Sequence, residues 1–146
     1  MTGADSSGRA GPEGPPAAVL ARFAAQRVAS LATLSAAGPR LVPVTFAWHD
    51  GAAVWAVDRV KPKRPGPLRR ERDLAADPRV ALLVDHYEED WSRLWWVRLR
   101  GTARIVEDRH AVELLRAKYR QYRDAALGPV IAVEVQERSV WKSSRS

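Results

Sequence analysis

The densest chemistry in this sequence lies between Arg59 and Arg72, where Lys61, Lys63, Arg64, Arg69, Arg70 and Arg72 crowd into a Pro-bounded loop and the start of a helical pattern. At such a junction backbone amides and the helix dipole add to side-chain charge, which makes a seat for phosphate. A small phosphorylated ligand is the favoured occupant. Nucleic acid and a merely solvated charged turn are the alternatives, and nucleic acid fits less well because phosphate-tracking surfaces interleave exposed aromatics with their cations.

The rest of the catalytic inventory is thin. His49, His86 and His110 show no metal-ligand spacing, so no metal centre is expected. Asp85 and His86 with Glu88, Glu89 and Asp90 could hold a metal or act as a base, but a solvated acidic loop paired with the basic region is the better reading. Ser30, Ser35 and Ser92 lack the strand-turn-helix setting of a nucleophile, and there is no P-loop and no G-x-G-x-x-G. The complete absence of cysteine excludes a disulfide scaffold, a zinc finger, an iron–sulfur site and a thiol nucleophile together. An enzyme built from these residues would leave the chemistry to a cofactor. Trp95 and Trp96 are adjacent, so on a strand one faces the core and the other faces outward, where it needs a lid such as a second subunit or a flat ring system.

These residues need a scaffold, and 146 residues with 46% hydrophobic and 28% charged content are enough for one domain. Residues 1–15, rich in Gly, Pro and Ser, read as a disordered tail, and 16–146 as the domain. The net charge of +7 invites an anionic partner, and its excess concentrates in Arg59 to Arg72 while Asp85 to Asp90 is acidic. With no apolar run long enough to span a bilayer and no signal-peptide pattern, the expected location is cytoplasmic and off the membrane.

Periodicity predicts a short helix over Ala17 to Gln26, then three strands in a meander, Arg27 to Leu34, Arg40 to Trp48 and Ala52 to Val60. Asp50-Gly51 is the turn signal before the third, and Pro43 in the second is tolerated only at an edge or a bulge. A short helix over Leu68 to Ala76 follows, then strands at Arg79 to Asp85 and Leu94 to Val106, with Gly101 as a bend. The pattern closes with a helix over Asp108 to Tyr122 and a last strand, Val130 to Gln136, ending near Trp141. Short turns forbid parallel crossovers, so the expected class is mainly β with peripheral helices, a small six-stranded barrel.

The runs Asp73-Leu74-Ala75-Ala76-Asp77-Pro78-Arg79-Val80 and Asp85-His86-Tyr87-Glu88-Glu89-Asp90-Trp91-Ser92-Arg93-Leu94-Trp95-Trp96-Val97-Arg98 carry a resemblance. Together with Lys61-Pro62-Lys63, the sequence resembles a coenzyme F420-dependent subgroup of the pyridoxamine-phosphate-oxidase-like proteins, over about residues 17–142. The resemblance implies a six-stranded split β-barrel of the FMN-binding type that pairs as a homodimer, with cofactor sites in grooves between subunits. It implies a phosphate held by Lys61, Lys63, Arg69 and Arg70, and a ring system lying along the backbone of Val42, Pro43, Val44 and Thr45. The implied reaction is hydride transfer between reduced F420 and a small-molecule substrate, with FMN as the alternative cofactor. A reduction also needs a proton donor, for which Tyr87 and His86 are the candidates.

Overall fold

In the first strand Ala29, Leu31 and Thr33 are buried while Ser30 is exposed, the alternation of a strand with one face on a core. The computed structural model describes residues 17–58 and 69–143, with backbone alone at 17, 19, 58, 69 and 70. The tail at 1–15 and most of the basic loop, including Lys61 and Lys63, lie outside the described residues. In chain order the elements are α1 (Ala17–Ala25), β1 (Ala29–Ser35), β2 (Gly38–Val44), β3 (Ala47–His49), β4 (Ala52–Asp58), α2 (Arg69–Ala76) and β5 (Arg79–His86). A 3-10 turn at Trp91–Arg93 leads to β6 (Trp95–Val106) and α3 (Arg109–Lys118), and a second at Arg120–Tyr122 leads to β7 (Leu127–Lys142).

The strands form one antiparallel sheet of seven, in the order β2-β1-β5-β6-β7-β4-β3. Two expectations are corrected here. Among the described residues there are seven strands rather than six, and the first three do not form a meander. The predicted second strand, Arg40 to Trp48, is cut at Thr45-Phe46, and its two pieces end at opposite edges of the sheet. The cause is a side-chain substitute for the strand ladder. Phe46 N–H donates to the Tyr119 hydroxyl at 3.0 Å, and Phe46 O accepts from Lys118 Nζ at 2.9 Å, so this peptide's polar groups are satisfied outside the sheet.

The turns follow their residues. Asp50 and Gly51, with φ of 52° and 77°, make the two-residue connection that pairs His49 with Ala52. Gly101 sits at a register shift, where Arg100 pairs with Glu137 but Gly101 pairs with Val135. A Cβ at Gly101 would collide with the Glu134 carbonyl, so only glycine permits this bend in the longest hairpin. The last strand starts three residues before the expected Val130: pairing begins at Leu127 opposite Asp58 and runs to Lys142 opposite Trp95.

Every strand contributes to one cluster, β3 through the partly buried Trp48, and Phe23 of α1 closes it by packing on Phe46 at 5.2 Å and on Trp48 at 5.5 Å. A sheet whose two edges share one core is rolled into an incompletely closed barrel. A second cluster lies on the other side of β4 and β7, where Val54, Ala56, Val130 and Ala132 meet Ala111, Leu115, Tyr119 and Tyr122. The helix α3 that covers this side starts at Asp108, whose side chain accepts from Ala111 N–H at 3.1 Å. It ends at Lys118, earlier than the predicted Tyr122, and the 3-10 turn carries the remainder.

Candidate functional site

The outer face of β1, β5 and β6 carries the outward Trp96 and one proton-donor candidate, Tyr87, while none of the expected cofactor contacts lines it among the described residues. Register places Ser30 opposite Leu83, Ala32 opposite Ala81, Leu83 opposite Arg98 and Asp85 opposite Trp96. Cross-strand partners share a face. These side chains, with Leu41 from β2 and Tyr87 beyond β5, line a shallow groove of about 490 Å³. Leu41 is 75% exposed and Tyr87 57%, and Trp96 is partly open beneath the guanidinium of Arg98, 5.4 Å from its ring. The uncovered face of an antiparallel sheet is ordinarily polar, so leucines and aromatics here mark a surface meant to be covered. Trp95, by contrast, is buried in the barrel, as expected of one of two adjacent residues on a strand.

The strand beside the groove is β2, an edge strand, as Pro43 requires. Val44 points into the core and Val42 packs against it, while Pro43 is exposed opposite Ser30. Thr45 is turned to the other side of the molecule, where its hydroxyl is 2.6 Å from that of Tyr122. Arg69 and Arg70 form the first turn of α2, whose Asp73 carboxylate meets Arg40 of β2 at 2.9 Å. The two halves of the expected cofactor site, the β2 rim and the α2 start, are therefore joined directly.

The two proton-donor candidates are not brought together. Tyr87 lines the groove. His86 faces the other way, stacked near Trp95 at 6.5 Å, with Nε2 at 3.2 Å from Glu88 Oε1, which also pairs with Arg93 Nε at 2.9 Å. Asp90 closes the same loop by accepting from Ser92 N–H at 3.0 Å and from its hydroxyl at 2.6 Å, bonds that hold its carboxyl below the usual range. Glu88 and Asp90 thus spend their carboxylates on local pairing, while Asp85 lines the groove. No group of three or more possible metal ligands occurs among the described residues.

The sequence did not single out the clasp around Phe46. The Tyr119 hydroxyl accepts from Phe46 N–H and lies 2.9 Å from Phe46 O and 2.8 Å from Arg27 O, the two carbonyls that compete for its one proton. Burial pushes the Tyr119 phenol up. Lys118 Nζ stands 3.9 Å from the Phe46 ring centre, and burial, with the nearby Arg27 charge, lowers its pKa to about 8. In the sequence Tyr119 and Tyr122 continue the stripe of Ala111 and Leu115 on the predicted helix, which reads as packing.

A profile of the pyridoxamine 5'-phosphate oxidase family matches residues 15–143, nearly the whole chain. The chain belongs to this family. Comparison with curated protein sequences finds no match. Among solved structures, this family member is similar to a FAD-binding protein from Mesorhizobium loti at 20% identity, covering 90% of this chain and 96% of that one with a TM-score of 0.67. It is similar to a conserved hypothetical protein from Mycobacterium tuberculosis at 19% identity, covering 89% and 86%, also at 0.67. A heme-binding protein from Mycobacterium smegmatis is 28% identical, with 90% of this chain but 56% of that one covered and a TM-score of 0.60. The common ground is the split barrel of the family. No described helix is long and apolar enough to cross a membrane.

Proposed function

We propose that the protein is an oxidoreductase that moves a hydride between coenzyme F420 and a small organic substrate, acting as a homodimer with each cofactor in a groove between two copies. The observation that carries this reading is the apolar outer groove, where the Trp96 indole and the Arg98 guanidinium offer a flat, cationic platform to a flat, anionic-tailed ring system. The residues fit such a group: a planar surface on one side, an edge strand with unshared backbone groups on another, and Arg69 and Arg70 opening α2 next to that strand. Lys61 and Lys63 complete the proposed phosphate seat.

When bound, the deazaflavin supplies the hydride from its central ring. The protein's own part is to orient, to exclude water and to hold a proton. A second copy laid on the groove would dry it and raise the value of every polar contact inside. Tyr87 is the proton donor in this reading, because it lines the groove while His86 does not.

FMN is the second reading, favoured by the flavin named in the Mesorhizobium loti protein. One experiment separates them. Purified protein is titrated with F420 and, in parallel, with FMN while tryptophan fluorescence is followed. Saturable quenching by F420 at or below the order of tens of micromolar supports the deazaflavin reading. Quenching by FMN alone, or a yellow protein as purified, overturns it in favour of the flavin. A heme absorption band as purified overturns both.

A further inference from the structure

A second cavity, of about 410 Å³, opens on the opposite side of β6 from the groove, and nothing in the proposed reaction uses it. Its floor is set by register. His86 pairs with Trp95, and Trp95 pairs with Lys142, so these three side chains stand on one face at the end of three neighbouring strands. Its second wall is α1, through Arg22 and Ala25, with Gln26 just beyond it, and its third is the 3-10 turn, through Ser92 and Arg93.

The charges are one-sided. Arg22, Arg93 and Lys142 line the cavity, and no carboxylate among the described residues lines it. Glu88 neutralises Arg93 from outside the lining. Arg22 and Lys142 pair with no described residue, so two cations from distant parts of the chain converge on one concavity without a counter-charge among the described residues. Cations held together this way repel, and a bound anion turns the repulsion into attraction. The walls are also fixed before any ligand arrives: Asp90 caps the turn, Ser143 N–H donates to Leu94 O at 3.0 Å, and Glu88 tethers both His86 and Arg93. A pre-set concave site keeps the ordering cost of binding low.

We infer that this cavity binds a small organic anion through a carboxylate or phosphate group, with Arg22 and Lys142 as its principal contacts. It is a separate site from the groove, since the two are divided by the sheet and take alternate residues of β6, Trp95 for the cavity and Trp96 for the groove.

The test is calorimetric titration of the full chain with citrate and with inorganic phosphate at fixed ionic strength, against chloride as the control. Saturable binding of either probe supports the site, and the stronger probe tells whether carboxylate or phosphate is preferred. The Arg22→Gln/Lys142→Gln variant should bind the preferred probe at least about tenfold more weakly, the loss expected for charge-assisted contacts. Both side chains are exposed, so the variant should melt like the wild type. Trp96→Ala, in the groove, should leave probe binding unchanged. No saturable binding beyond chloride, or equal binding by the double variant, overturns the inference.

Discussion

Arg40 Nε lies 2.9 Å from Asp73 Oδ2, and this one ion pair ties the edge strand β2 to the helix that opens with Arg69 and Arg70. The Asp73 side chain is only 12% exposed, so its partner is needed to balance a largely desolvated charge. A double-mutant cycle with Arg40→Ala and Asp73→Asn should return a coupling of about 1 kcal/mol in urea unfolding, and a coupling near zero would show the pair to be incidental.

Removing the Tyr119 hydroxyl strips the Phe46 amide of its acceptor inside the structure. Tyr119→Phe should therefore lose about 2 kcal/mol of stability, most of it from an unpaired buried N–H rather than from lost packing. The midpoint of denaturant unfolding measures it, and a loss too small to resolve would mean that water replaces the hydroxyl.

Lys118 gives the clasp a pH signature. Its folded pKa, about 8, lies below the ordinary 10.5, so between these values the unfolded chain binds more protons than the folded one. Stability from this group therefore rises as pH increases from about 8 to 10.5, and below 8 the desolvation penalty is present in full. Lys118→Met should flatten that rise relative to the wild type when unfolding midpoints are compared across the window. Identical pH profiles for the two proteins would count against a desolvated amine.

Gly101→Ala places a methyl group against the Glu134 backbone, which cannot swing aside as a side chain would. A loss of about 3 kcal/mol or more, or insoluble protein, is the expected result. Gly38→Ala is the control: a Cβ there meets nothing within 4 Å, and its φ of 115° leaves only local backbone strain.

If the groove is covered by a second copy, a charge at its centre should separate the copies. Leu83→Asp is expected to elute as a monomer in size-exclusion chromatography with light scattering and to lose cofactor-dependent fluorescence quenching together with dimerisation. Wild-type protein that is already monomeric at micromolar concentration would remove the two-copy arrangement.

Local signals made much of this legible. The Asp50-Gly51 turn, the Gly101 bend, the Asp108 start of α3 and the opposite facings of Trp95 and Trp96 all follow from what single residues permit in one backbone conformation. The break at Thr45-Phe46 could not be read that way, because the groups that pull Phe46 from the ladder stand 72 and 73 positions along the chain. Valine, threonine and aromatic residues run through the break and favour strand on both sides of it. The start of the last strand escapes local reading for the converse reason. Gly128 and Pro129 look like punctuation, yet they fall inside β7 at an irregularity of its pairing with β4, between Leu127 opposite Asp58 and Val130 opposite Ala56, and pairing with β6 carries the strand on to Lys142. For the site, the outward tryptophan and the edge proline were visible. The separation of His86 from Tyr87 was not, since it depends on how the chain leaves β5.

Along β7, Val130 and Ala132 belong to the cluster under α3 while Ile131 and Val133 belong to the barrel, and on β4 the same alternation divides Val54 and Ala56 from Ala53, Trp55 and Val57. Neither cluster can be opened without tearing a strand out of the other. The barrel and its helical cover should thus melt in a single step, with calorimetric and van't Hoff enthalpies in agreement, and amide hydrogens on both strands should exchange only through complete unfolding.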